Sequence, residues 1–588
     1  MTAMLPTLGS LSLFMAVLAF IAAWIFYRNA RPDSPGNTGY ARKAVALAAI
    51  ALLVASAALM WLLFARDYNV AYVYSYVGND LPGLYVLSAF WAGQEGSFLL
   101  WALFAAALGY LLCIRAGDWE ARVMRVYIPS AVVLVVLTII SGPFEVVSRV
   151  VADGVGLNPL LRDPWMAIHP PVAFIGYAAM SIPFAYAIAG LRWKNGDDWV
   201  RQALPWALLG WVTLGTGIIM GGFWAYKVLG WGGWWGWDPV ENASLLPWLT
   251  GTALFHGLLL QRSRRKLPRT NILLAVLTFG LVIYSTFLTR SGVLEGASVH
   301  TFGVSAVGPW VGLWMAAVIG YGVYRLYTAR TEITGERIDE PVFSREVFLV
   351  VGAVVLVLCA AVIGLGTSAP ILSRMTGGEG ASVDISFYGR TTLPLGILIA
   401  LSMGISVLLP WSRTGSVNRT TLWASVVSGA VAVVGAYLMG VSGLLLLLFA
   451  GGAVFALAIT LVKLERTLRR QGWRAAGGPI SHLGAALMFV AIVASTTGRG
   501  QKADLIYETP TRILGYELTF TGWAGEPGGK QSATIMLSRP GDITPEVVRP
   551  KLYRMYGSGR MMVCAEPHIS RRFTNDLYIA PIQYLPPD

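Results

Sequence analysis

Apolar runs of roughly 20 residues, the length needed to cross ~30 Å of hydrocarbon, recur along most of the chain between short polar loops. Fourteen are recognisable, centred near Leu18, Leu52, Ala105, Val133, Ala179, Leu214, Gly251, Phe279, Met315, Val355, Leu401, Ser428, Leu448 and Met488. Each predicts a transmembrane helix. The stretch 81–96, rich in aromatic residues and glycine, predicts an interfacial segment rather than a fifteenth span. From Arg499 the pattern changes: apolar and polar positions alternate at 505–507, 514–521, 532–537, 561–565 and 577–582, with Gly and Pro between. A period of two bounded by turn residues predicts strands. The expectation is an all-α polytopic membrane protein of about 14 helices over 1–498, followed by a small β-rich domain over 499–588.

Composition agrees. The 588 residues are 56% hydrophobic and 13% charged, with a mean hydropathy of +0.61. Soluble domains carry about 25% charged residues, so a water-soluble enzyme is excluded. The 22 Trp, 24 Tyr and 23 Phe exclude disorder. The net charge of +13 is a matter of topology. Alternate loops, starting after the first span, hold 26 of the 44 Lys and Arg; the opposite loops hold 7 and the tail from Arg499 holds 11. The densest group, Arg262, Arg264, Arg265, Lys266 and Arg269, follows the seventh span. The positive-inside rule then puts the N-terminus and the β-rich domain outside, and no nucleic acid is implied. The first span has no basic residue before it and Arg28 after it, the reverse of a cleaved signal peptide.

Cys113, Cys359 and Cys564 form no C-x-x-C pair. That excludes a thiol–disulfide motif, a thiolate zinc site and a c-type haem attached to this chain. The five histidines carry more. His256 and His482 fall inside the seventh and fourteenth spans, where an ionisable residue is costly and a functional candidate. At 1.5 Å per residue, His256 lies about 18 Å from the outer edge and His482 about 6 Å from the inner one, so their heights differ by only about 6 Å in a ~30 Å layer. They either bond neighbouring helices or serve as two axial ligands of one haem iron. His169, followed by two prolines, and His300 lie in external loops, where a lone histidine is ordinarily solvated. His568 takes a structural reading.

Between spans six and seven, six of the 22 tryptophans fall within residues 224–248: Trp224, Trp231, Trp234, Trp235, Trp237 and Trp248. An interfacial aromatic belt is the plain explanation. A belt requires neither the interleaved glycines nor the run from Asp238 to Asn242 that follows. Glycine lets flat rings approach a flat ligand, and indole offers broad apolar faces with one donor each; a porphyrin or a quinone fits. Asp238 and Asn242 are placed to cap the seventh span. Lys227 and Arg290, near the outer surface, are either propionate partners or ordinary interfacial charges.

The segment from Trp231 to Ser244 resembles the tryptophan-rich "WWD" signature of the haem-handling proteins of cytochrome c maturation. Within that superfamily the chain is similar to the CcmF family of large haem lyase subunits. The matching pieces are Trp91 with Glu95-Gly96-Ser97, Asn158 to Asp163, His169-Pro-Pro with Gly176-Tyr177, Phe287 to Gly292, Ser298-Val-His300, and His482-Leu-Gly484. The resemblance implies a holocytochrome c synthase (haem lyase) in a bacterial inner membrane. His169 and His300 would hold incoming haem, as the catalytic pair, against Trp231, Trp234, Trp235, Trp237, Asp238 and Asn242. His256 and His482 would ligate a resident haem b. The implied partners are a haem chaperone, an apocytochrome c supplying the C-x-x-C-H thiols, other maturation subunits, and quinol as electron donor. The resemblance also implies a final span after the external domain, and no apolar run of that length follows before Asp588. Gln94 stands where some relatives carry His, and no role is drawn from it. A haem transporter or exporter of the same superfamily, or a quinol-linked b-type carrier, is the alternative. Those transporters are shorter, and a simple carrier leaves the tryptophan loop unexplained. A haem–copper oxidase would need about six intramembrane histidines.

Overall fold

The computed structural model describes residues 4–30, 35–147, 151–191, 198–230, 232–294, 305–336, 341–378, 380–411, 416–526, 530–539, 542, 544–557, 560–571 and 576–582. The helices, in chain order, are α1 (Leu5–Asn29), α2 (Pro35–Ala65), α3 (Ala71–Tyr76), α4 (Gly83–Ala92), α5 (Gln94–Arg115), α6 (Glu120–Ser141), α7 (Pro164–Gly190), α8 (Asp198–Val228) and α9 (Pro239–Arg264). They continue with α10 (Pro268–Arg290), α11 (Gly308–Thr328), α12 (Arg345–Thr367), α13 (Ala369–Met375), α14 (Ile385–Leu408), α15 (Arg419–Leu438), α16 (Leu444–Gln471) and α17 (Gly477–Ser495).

A long helix covers each of the fourteen apolar runs, and thirteen of these helices are long and apolar enough to cross a membrane. The exception is α11, whose sequence dilutes its aliphatic residues with Gly, Trp, Tyr and Arg325. The 81–96 stretch forms the ten-residue α4 and the start of α5, too short a helix to span. Helices stabilise themselves in hydrocarbon because every backbone bond closes within the segment. Their apolar surface therefore also faces outward: Leu11, Phe14 and Leu18 on α1 and Val427, Val431 and Val434 on α15 are all more than half exposed.

One polar cluster and one set of small residues fix helix positions inside the bundle. Glu120 at the start of α6 is 2% exposed, and both its oxygens accept from Arg42 of α2, at 2.7 and 2.5 Å, with the Tyr27 hydroxyl of α1 donating at 2.7 Å. Small residues do the rest between α7 and α8. A methyl at Gly176 would sit 2.7 Å from the backbone nitrogen of Leu214, and one at Gly217 would sit 2.9 Å from the Ala173 backbone. The two backbones touch, and α7 is thereby fixed against α8 along its length.

After α17 come β1 (Thr511–Ile513), β2 (Tyr516–Glu526), β3 (Lys530–Ser538), β4 (Glu546–Val548), β5 (Lys551–Gly557), β6 (Arg560–Glu566), β7 (His568–Arg571) and β8 (Asp576–Ile579). The main sheet runs β1-β2-β3-β5-β6 with β4 on β3, and β7 and β8 form a separate hairpin. All pairs are antiparallel. The residues around Leu505 do not form a strand; Tyr507 makes one isolated bridge to Phe520. β4 and β5, not expected from the alternation, complete the sheet over a small core of Tyr516, Leu518, Ile535, Leu537 and Val548.

A tryptophan loop and a pair of facing histidines

His169 lies in the second turn of α7, which Asp163 caps by accepting from the Trp165 amide at 2.8 Å. Its Nδ1 lies 3.0 Å from the Trp165 carbonyl. A carbonyl only accepts, so Nδ1 carries the proton and the lone pair is on Nε2. The ring stacks on Trp224 of α8 with centroids 5.8 Å apart. It rests against Gly221, where a methyl would approach Nε2 to 3.5 Å. Loop 295–304, and with it His300, lies outside the described residues, as does Trp231.

The tryptophan loop crosses this end of α8. A methyl at Gly222 would meet the Trp234 carbonyl at 2.9 Å, so the loop backbone runs directly over the helix. Trp234, half exposed, stacks on Tyr226 at 5.7 Å and leans on Phe223 at 5.0 Å. Trp235 and Trp237 meet edge to face at 6.2 Å, and Trp237 lies flat on Tyr388 of α14, 4.9 Å away and 3° from parallel. The Trp235 Nε1 is buried without a hydrogen-bond partner among the described residues. Gly230 and Gly232 take φ of +71° and +78°, and Trp237 itself takes +54°, a region uncommon for residues with a side chain. Strain of that kind persists where surroundings over-determine it.

The device that holds Trp237 is a capping box. Asp238 accepts from the Val240 amide at 2.8 Å, and Glu241 reaches back to the amides of Gly236 and Asp238 at 2.9 and 3.3 Å. Asp238 is thus the cap expected of it. Asn242 is not: fully buried, it donates from Nδ2 to the Trp237 carbonyl at 3.1 Å and ties the loop to the first turn of α9. Lys227 is engaged by Asp163 at 2.7 Å. Arg290 is buried, donating to Ser97 and Thr289 at 2.8 Å and lying over Phe98 and Phe174. Lys227 is thus held by an ion pair, and Arg290 by hydrogen bonds and aromatic rings.

From the tryptophan loop, α9 descends through a ladder of rings. Trp248 stacks on Trp211 at 5.7 Å, Trp211 on Phe255 at 6.4 Å, and Phe255 meets His256 edge-on at 6.1 Å. His256 then faces His482 of α17 with centroids 6.0 Å apart and planes 15° from parallel. The His256 Nδ1 donates to the Thr252 carbonyl at 2.9 Å, which again leaves the lone pair on Nε2.

The last strands of the chain seal the loop from the other side. Tyr226 donates to Asp576 at 2.9 Å, the Gly232 amide donates to the Tyr578 hydroxyl at 3.2 Å, and Arg571 lies over Phe223. A methyl at Gly230 would sit 2.7 Å from the Ala565 carbonyl of β6. Neither alternation nor spacing announces these contacts. His568 of β7 lies 3.9 Å from Glu546, and burial holds its imidazole below the ordinary value against that carboxylate. It belongs to the β-domain, where it pairs with Ile579 across the β7–β8 hairpin.

Fold and site together describe a multi-pass helical membrane protein built around a cytochrome c assembly region, since residues 91–294 match the family described as "Cytochrome C assembly protein". Similarity extends well beyond that region. The chain is 33% identical to the cytochrome c-type biogenesis protein CcmF of Pseudomonas aeruginosa over 98% of its own length and 91% of that protein. It is 35% identical to CycK of Bradyrhizobium diazoefficiens, covering 93% and 86% of the two chains. The solved structure of "Cytochrome c Heme Lyase CcmF" superposes with a TM-score of 0.80 at 27% identity, covering 98% of this chain and 91% of that one. The chain belongs to the CcmF family of cytochrome c-type biogenesis proteins.

Proposed function

We propose that this protein is the haem lyase subunit of a cytochrome c maturation system. It receives haem from a haem chaperone, holds it between His169, His300 and the tryptophan loop, and presents it to the C-x-x-C-H cysteines of an apocytochrome c. The loop, the N-terminus and the β-domain lie on the extracytoplasmic side of a bacterial inner membrane, an orientation that the Lys and Arg distribution supports. Catalysis here is orientation: the rings of Trp234, Trp235 and Trp237 fix a flat substrate, and His169 offers Nε2 to its iron. The thiols come with the apocytochrome, so a lyase whose own cysteines are unreactive is chemically consistent. Cys113 and Cys359 are buried, and burial pushes the Cys564 thiol above its ordinary range.

A resident haem b held by His256 and His482 would supply the electron that keeps the substrate iron ferrous, with quinol as its source. The observation that carries this reading is the geometry of that pair. The two ring centroids stand 6.0 Å apart, which would leave room for His256 and His482 to hold one iron between them. The donor set also fits, being two neutral imidazoles whose Nδ1 in His256 is already committed to a carbonyl.

A pyridine haemochrome assay tests it on purified wild type, His256→Ala and His482→Ala. About one b-type haem per chain in wild type, lost in both variants, is expected for a two-ligand site. Retention in both would overturn the electron-supplying reading. The tryptophan loop would then carry the haem function alone, as in a transporter of the same superfamily.

A further inference from the structure

Three cations lie together at the end of the bundle away from the tryptophan loop, and one of them, Arg345, lies by His482 of the histidine pair. Arg345 opens α12; Lys463 and Arg466 lie on α16. The place is set by the end of α9, whose Arg264 reaches Glu346 of α12 at 3.0 Å. The charge of Arg345 acts on the His482 ring, and the charges of Arg345 and Arg466 both act on Lys463.

No carboxylate among the described residues lies within ion-pair distance of any of the three. Glu346 is taken by Arg264 and by Lys266 at 2.5 Å, and Glu465 by Arg469 at 2.5 Å. Arg466 donates to a neutral hydroxyl, that of Thr421, at 3.1 Å. The Arg345 guanidinium lies 4.5 Å from the centre of the Trp411 ring, and its Nε is buried with no hydrogen-bond partner among the described residues. Arg345 is half-buried, Lys463 and Arg466 are exposed, and like charges held close together repel one another. An anion drawn among them relieves that repulsion.

We propose that Arg345, Lys463 and Arg466 form the carboxylate-binding edge of the resident cofactor's site, receiving the two propionates of a haem whose iron His256 and His482 hold. This rests on the haem reading of that pair. A planar guanidinium fixed on an indole face suits a carboxylate, and the flexible lysine suits a second one. These residues would draw the cofactor's carboxylates toward the end of the bundle away from the tryptophan loop. An anionic lipid phosphate shares the same chemistry, and the test separates the two.

Full-length protein from haem-starved cells is titrated with haem and with haem dimethyl ester, whose propionates carry no charge. Binding is scored by the low-spin spectral component that His256→Ala abolishes. Wild type is expected to prefer haem over the ester by about tenfold or more, the value of charge-assisted hydrogen bonds. Arg345→Gln and Lys463→Gln each narrow that preference, the double variant brings it to about twofold or less, and Arg345→Lys keeps most of it. Equal binding of the two haems by wild type would overturn the proposal. So would variants that leave the preference intact, and the cations would then serve lipid phosphate or packing. If wild type shows no such component at all, the histidine reading itself fails, and this inference with it.

Discussion

Glu120 tolerates burial because Arg42 and Tyr27 satisfy it, and the two ends of that pair are unequal. Arg42 is half exposed and can turn to water, whereas Glu120 cannot. Arg42→Met strands a buried carboxylate and is expected to cost up to about 3 kcal/mol at neutral pH. Glu120→Gln is expected to cost about 1 kcal/mol. Thermal unfolding of the two variants in detergent checks the order, and a costlier Glu120→Gln would show that the carboxylate is not the constrained partner. His568 gives a pH-dependent case. Its imidazole sits below the ordinary 6.5 in the folded state, so the unfolded chain binds the extra proton as pH falls through that value. Stability contributed by the neutral ring is present above it and lost below. His568→Gln is expected to flatten the decline in melting temperature between about pH 7 and 5. The residues that stand out in sequence are those that violate their surroundings: a histidine in an apolar run is conspicuous because its cost is. Glu241, three residues after Asp238, follows the capping-box spacing but is overlooked beside so many tryptophans. Arg345 and Lys463 hide for a different reason. Basic residues at span ends are expected as orientation signals, and only the fold shows which of them have no carboxylate within ion-pair distance among the described residues.

Helices α7 and α8 bring His169 and the tryptophan loop into one place, and that depends on backbone contact. Gly176→Ala would press a methyl into the Leu214 backbone; overpacking of that kind costs about 1–3 kcal/mol. It is expected to lower the melting temperature and loosen the contact between His169 and Gly221. Gly435 on α15 has open space around it, and Gly435→Ala is expected to be neutral or stabilising by up to about 1 kcal/mol, since alanine is the better helix former. Comparing the two melts checks the assignment; similar losses would deny the α7–α8 contact its special place. The element scale is also where hydrophobic pattern succeeds most and then fails. Fourteen apolar runs became fourteen long helices because an apolar span in a membrane protein has few alternatives to helix. The strands were less legible. β5 is a paired strand whose residues, from Lys551 to Gly557, mix charge, aromatics and glycine. Its place comes from pairing with β6 and β3, not from alternation.

Across the whole molecule, the tryptophan loop is clamped between two distant parts of the chain. Below it lies Gly222 of α8; on the other side lie the β7–β8 hairpin and β6. Asp576→Ala and Tyr578→Phe remove the hydrogen bonds to Tyr226 and Gly232. Amide exchange in residues 232–237 is expected to rise, by roughly tenfold where a single bond of about 1.4 kcal/mol limited opening. Unchanged protection would mean that the capping box alone holds the loop. No sequence pattern reveals this clamp, because its partners are 350 and 346 residues apart and chemically ordinary. Their separation has a consequence in time. A ribosome delivers the chain from its N-terminus, so α8, the tryptophan loop and α9 are made long before Asp576 and Tyr578. The face of the tryptophan loop therefore stays unfinished through the rest of synthesis, and translation of the last strands is the step that closes it.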